Sequence, residues 1–158
     1  MSPNVGSALK ATFQADAGAP GAARSAIAAL NGGLDGEVAF RLRLLVSEAV
    51  TNRVLDQAMG GGRGRVRLQV ATDDRAVRAS VEDVDFADDR PAGSASAAMR
   101  EIEAGIMGAL ADSWGTAAAG DGTISIWFEL LNTNQPSDID YAERFAAAVA
   151  AHRDVAVL

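Results

Sequence analysis

Apolar positions recur along this chain with two periods. Ala8 to Ala15 alternates weakly, with Leu9, Ala11 and Phe13 set against Lys10, Thr12 and Gln14, and predicts a first strand. Asp16 is placed to cap a helix whose first turn takes Pro20. That helix runs over Ala22 to Leu30 and stops at Asn31-Gly32-Gly33. A second helix begins at Asp35 or Gly36, with Val38, Leu42, Leu45 and Ala49 at helical spacing, and continues to Gln57. Arg65 to Ala71 and Ala76 to Asp83 alternate cleanly about the turn Thr72 to Arg75 and predict a hairpin. Ala98 to Ser113 is again helical in period. Trp114 to Ala119 predicts a short strand, Gly120-Asp121-Gly122 a turn, and Thr123 to Leu131 a strong strand. Ser137 and Asp140 resemble a capping box that opens a last helix through about His152.

The order β-α-α-β-β-loop-α-β-β-α contains no regular βαβ alternation. It predicts an α+β fold, a two-layer sandwich with a mostly antiparallel sheet and helices on one face. Residues 1–131 form one domain in this reading, and 132–158 a C-terminal helical extension. In the last strand Thr123, Ser125 and Trp127 share one face, while Ile124, Ile126, Phe128 and Leu130 share the other. Helices cover one face; the C-terminal helix or a partner subunit, as in a homodimer, is expected over the other.

Composition narrows the function. With 158 residues, 49% hydrophobic and 22% charged, the chain can bury a core. The absence of Cys removes disulfides and thiolate chemistry. A net charge of −7 disfavours direct nucleic-acid binding. No apolar run reaches a membrane span, and no basic-then-apolar leader is present, so a cytoplasmic protein is expected. Met59 to Gly64 lacks the Gly-Lys-Ser/Thr ending of a phosphate-binding loop.

Three residues could carry chemistry. Glu48 and Asn52 stand one turn apart on one face of the second helix. They either hold a metal and activate a hydroxyl or form the wet edge of an amphipathic helix. Asp83 ends the stripe Val77, Ala79, Val81 on the core side of its strand, where a carboxylate needs a partner. It either lines a pocket or belongs to the exposed turn Glu82 to Asp85. The polar segment Phe86 to Ala98 reads as a loop beside it.

Val46-Ser47-Glu48-Ala49-Val50-Thr51-Asn52 resembles the asparagine box of the bacterial anti-sigma factor and serine kinase family, which has the Bergerat ATP-binding fold shared by gyrase, heat-shock chaperone, histidine kinase and mismatch-repair ATPases. Val81-Glu82-Asp83, Ala109 to Gly115 and Gly120 to Leu130 extend the resemblance over residues 8–131. It implies that Glu48 is the general base, that Asn52 holds Mg²⁺, and that Asp83 accepts a hydrogen bond from the adenine of ATP. Gly93 would lie in the lid and Gly105 at the phosphates, with Thr123 or Ser125 beside the adenine. The implied partners are a sigma factor and an antagonist protein, the latter phosphorylated on serine.

Departures accompany the match. The family continues Asn-Ala-x-x-His where this chain has Asn52-Arg53-Val54-Leu55-Asp56. Its Asp-x-Gly is Asp83-Val84-Asp85, and its Gly-Leu pair falls on Glu103-Ala104 unless shifted by two to Gly105-Ile106. A non-catalytic binding module on the same scaffold is the rival reading, and a small-molecule sensory domain the third. His152 reads as a solvated helix residue, Met99 and Met107 as core fillers, Trp114 and Trp127 as core, and Arg63, Arg65 and Arg67 as a solvated strand face.

Overall fold

The computed structural model describes residues 7–30, 34–61, 64–85, 97–118 and 124–131, with the backbone alone at 97–103, 118 and 124. The elements are β1 (Ala8–Gln14), α1 (Ala19–Ala28), α2 (Gly36–Met59), β2 (Arg65–Thr72), β3 (Ala76–Val84), α3 (Ala97–Leu110), β4 (Ser113–Ala118) and β5 (Ile124–Leu131). The strands form one sheet in the order β1-β2-β3-β5-β4, antiparallel at every pairing. The three helices pack on one face, with α2 in the middle, touching α1, α3 and three strands. The α+β sandwich predicted from the pattern is therefore present. The expected C-terminal helix lies outside the described residues.

The core is the meeting of two periodicities. From α2 come Val38, Leu42, Leu45, Val46, Ala49 and Val50; from the strands come Val66, Leu68, Val70, Val77, Ala79, Val81, Ile126, Phe128 and Leu130, all buried. Residues opposite one another across antiparallel strands share a face, so Leu68↔Val81 and Val81↔Ile126 carry the apolar row across three strands. Met107 is a core filler as its sequence context predicts.

The turns have local causes. Asp16 does not cap α1: Gly18 is the N-cap, and no side chain bonds the helix start. Instead Asp16 Oδ1 accepts from the Gly18 N–H at 2.9 Å, which shapes the approach, and Pro20 sits in the first turn as predicted. In the β2–β3 turn, Asp73 Oδ1 accepts from the N–H groups of Arg75 and Ala76 at 2.7 and 2.8 Å. Those two donors hold the Asp73 carboxyl below its ordinary pKa.

Two expectations need correction. The helix predicted to reach Ser113 ends at Leu110. Arg41, buried on α2, donates to the Leu110 carbonyl at 3.1 Å and lies 3.5 Å from the Asp112 carboxylate. Ala111 N–H closes the last helical bond, to the Met107 carbonyl; Asp112 N–H then donates to the Glu129 carbonyl, and Asp112 Oδ2 accepts from Leu131 N–H, so residues 112 and 113 serve the sheet rather than the helix. Trp127 is not core: it is 42% exposed on the face opposite the helices. Trp114 is half-buried and packs against the core.

Trp127 lies over Gly115 of β4, where a Cβ would stand 2.8–2.9 Å from the indole. Gly115→Ala should therefore destabilise the fold by about 1–3 kcal/mol through overpacking. In a Trp127→Ala background the same change should cost less than half as much. Urea denaturation of the two singles and the double checks this, and equal costs in both backgrounds would refute it.

Candidate functional site

The polar residues of interest collect at the C-terminal half of α2 and the end of β3. Asp83 faces the core side, as the alternation predicts, and is 7% exposed. It is not part of an exposed turn. Asp83 Oδ1 accepts from Gln57 Nε2 at 2.9 Å, and Asp83 Oδ2 from Arg53 Nη1 at 3.4 Å. Arg53 also donates to Asp56 Oδ2 at 3.3 Å. Gln57 reaches further: its Nε2 donates to the Arg65 carbonyl and its Oε1 accepts from the Gly64 N–H, both at 3.0 Å. One side chain thus ties the end of α2 to the start of β2 and to Asp83. Arg53, Asp56, Gln57 and Asp83 are all buried.

The electrostatics of this cluster are mixed. Burial pushes the Asp83 carboxyl above its ordinary pKa and is the dominant influence. The Gln57 hydrogen bond and the Arg53 charge pull it down; the neighbouring Asp56 pushes it up. The cluster is a buried ion pair with two acids sharing one guanidinium, flanked by an amide that satisfies backbone groups.

Glu48 and Asn52 follow one another on α2 one turn apart. Glu48 is half-buried; Asn52 is buried, and its Nδ2 has no hydrogen-bond partner among the described residues. Asp83 takes its polar contacts from residues 53 and 57, on an adjoining strip of the helix, and not from Glu48 or Asn52. Ser125 lies on β5 opposite Glu82 of β3, on the open face, so the sheet separates its side chain from Asp83. Gly105 is an exposed residue within α3, with open space where a Cβ would sit. Gly93 and Thr123 lie outside the described residues. Among the described residues no group of three or more His, Asp or Glu could hold a metal ion.

Sequence pattern alone does not assign Arg53, Asp56 and Gln57 to this site, although a signal for them exists. With Asn52 they form the polar set 52, 53, 56, 57, two adjacent pairs spaced by one turn, in the same way that Glu48 and Asn52 are.

Asp85 shows a further local feature. Its φ is +53°, in the left-handed region that a side chain makes costly by about 1–2 kcal/mol and that Gly and, less readily, Asp or Asn adopt. Arg65 pairs with its carboxylate across the hairpin, and Arg67 with Glu82 at 2.8 Å. The strand face read as solvated arginines is thus ion-paired at both described positions; Arg63 lies outside them.

Cavities lined by described residues include two of note. One of about 780 Å³ lies on the open face of the sheet, beside Lys10, Gln69, Ser80 and Trp127. One of about 480 Å³ lies between α1 and α2, beside Arg24 and Arg43. Neither includes Glu48, Asn52 or Asp83. No described helix is long and apolar enough to cross a membrane.

No protein-family model matches the chain, and no curated protein matches it.

The raised pKa of Asp83 has a definite sign in stability. Because the folded-state value lies above the unfolded one, its contribution is fully present below the unfolded pKa and is lost as pH rises through the folded value. The stability of Asp83→Asn relative to the parent chain should therefore increase as pH rises above the ordinary carboxylate range and level off once Asp83 is ionised in the folded state as well. Urea denaturation over that rise in pH checks it; a difference that falls with pH would reverse the assignment.

Proposed function

We propose that this chain is a regulatory protein-binding domain on a Bergerat-type scaffold, resembling the anti-sigma serine kinases but acting through protein contacts without using ATP. The observation that carries this reading is the closure of Asp83. Both oxygens of the carboxylate that would receive an adenine amino group are engaged by Gln57 and Arg53. Arg53 stands where the family has alanine. A buried guanidinium at the adenine end takes up room beside Asp83 and competes for an oxygen that the ring's amino group would need.

The scaffold reading is supported by the antiparallel sheet covered by three helices on one face and by the position of the Ser47-Glu48 to Asn52 segment within the central helix. It is also supported by the left-handed backbone at Asp85, the position where the family's Asp-x-Gly carries glycine. The conformation suited to glycine persists although the residue has changed. By the same resemblance the partners would be a sigma factor and an antagonist protein.

One observation favours the catalytic reading, in which Glu48 is the base and Asn52 binds Mg²⁺ for a serine kinase. Asn52 is buried with an unpartnered Nδ2, a donor that suits an acceptor oxygen of a bound ligand, while Mg²⁺ itself would be held by the amide oxygen.

Calorimetry with ATP and Mg²⁺ separates the two. The protein-contact reading expects no saturable heat at millimolar nucleotide. Saturable binding that is lost in Asp83→Asn would overturn it, and loss of phosphotransfer in Glu48→Ala would then locate the base. Removing Arg53 leaves Asp83 without its cation, at a cost of about 3–5 kcal/mol. Arg53→Ala should therefore be markedly less stable in urea, and nucleotide should raise its melting temperature if closure by Arg53 is what excludes the base.

A further inference from the structure

Most arginines of the described chain are spoken for. Arg41, Arg53, Arg65, Arg67 and Arg78 each pair with a carboxylate. Among the described residues Arg24, Arg43 and Arg75 pair with none, and the first two line the 480 Å³ cleft between α1 and α2. In a chain of net charge −7, two unpaired guanidinium groups on one cleft are not a consequence of excess cation. Helix α1 contains no acidic residue to neutralise them.

The cleft has the chemistry of an oxyanion receptor. Arg24 Nη1 donates to Ser47 Oγ at 3.2 Å, which anchors that side chain across to α2 while leaving its other donors available. Ser25 adds a hydroxyl to the lining, and Ile27 and Ala28 add apolar surface. Guanidinium forks match the paired oxygens of carboxylate and phosphate. On α2, Phe40 is 56% exposed and stands one turn before Arg43. The cleft is larger than a single anion and has an apolar neighbour, so it fits an anion carried on a chain.

We propose that the α1–α2 cleft binds an acidic protein segment, with Arg24 and Arg43 receiving a carboxylate or phosphate and Phe40 packing against an adjacent apolar side chain. The cleft lies apart from the Asp83 cluster, so the proposal stands whether or not nucleotide binds there.

The test is amide NMR of the full chain titrated with two synthetic hexapeptides, identical except that one carries glutamate and the other phosphoserine between leucines. Inorganic phosphate is titrated as a third probe. Saturable shifts at Arg24, Ser25 and Arg43 are expected for at least one peptide, with affinity at least tenfold above that for inorganic phosphate. A preference for either peptide identifies the charged group. Arg24→Gln with Arg43→Gln should weaken binding at least tenfold, and Phe40→Ala severalfold. Arg75→Gln, which removes an exposed arginine outside the cleft, should leave binding unchanged. Shifts that do not saturate, that favour free phosphate, or that fall equally with Arg75→Gln would overturn the proposal. All four positions are exposed, and unchanged melting temperatures of the variants verify that the fold is intact.

Discussion

The fold depends on the burial of α2 across the sheet. Its apolar stripe is covered by β2, β3 and β5 on one side and by α1 and α3 beside it, so every other element is placed by reference to this helix. A helix this enclosed cannot keep polar residues on its inner face without internal partners. Three buried polar groups on α2 each fix something else. Arg41 fixes the end of α3 and the start of β4 through Leu110 and Asp112. Gln57 fixes the start of β2 through Gly64 and Arg65. Arg53 fixes the end of β3 through Asp83.

That arrangement bears on function. A buried carboxylate can be matched by a ligand or by the protein itself, and a side chain that matches it from within competes with any ligand for the same oxygens. Asp83 is matched from within on both oxygens, whereas Asn52, one position before Arg53 in sequence, retains an unsatisfied donor. The two polar residues singled out together by position therefore differ in state, one closed and one open.

Much of the architecture is legible in the sequence because it rests on period. The alternation in residues 65–71 and 76–83 places Val66, Leu68, Val81 and Asp83 on the core side, and all are buried. The start of α2 falls at the expected Asp35-Gly36 boundary, with Asp35 as its N-cap residue but no capping bond from its side chain, and its end falls at Gly60, where the glycine-rich connection begins. The end of α3 is not legible. Residues 111–113 are compatible with helix locally, and the bonds from Arg41 and Glu129 that end it are distant in sequence. Hydrophobicity alone puts Trp127 in the core, while its exposure follows from strand parity and a glycine on the neighbouring strand. At the candidate site, spacing is enough to find Glu48 and Asn52. Their neighbours Arg53 and Gln57 need the partner strand to reveal what they do.

The strand order has a consequence for how the chain assembles. β3 is completed on one side by β2, its hairpin neighbour, but on the other by β5, which begins at Ile124, after α3 and β4 have been made. Until β5 is inserted, β3 carries a free edge and β4 has no partner in the sheet. Closing that gap costs loop entropy before any pairing rewards it, as does bringing β1 onto β2, so the sheet rests on two pairings between segments distant in sequence. Until the last described strand arrives, the middle strand of the finished sheet offers an open edge on which another strand can mispair.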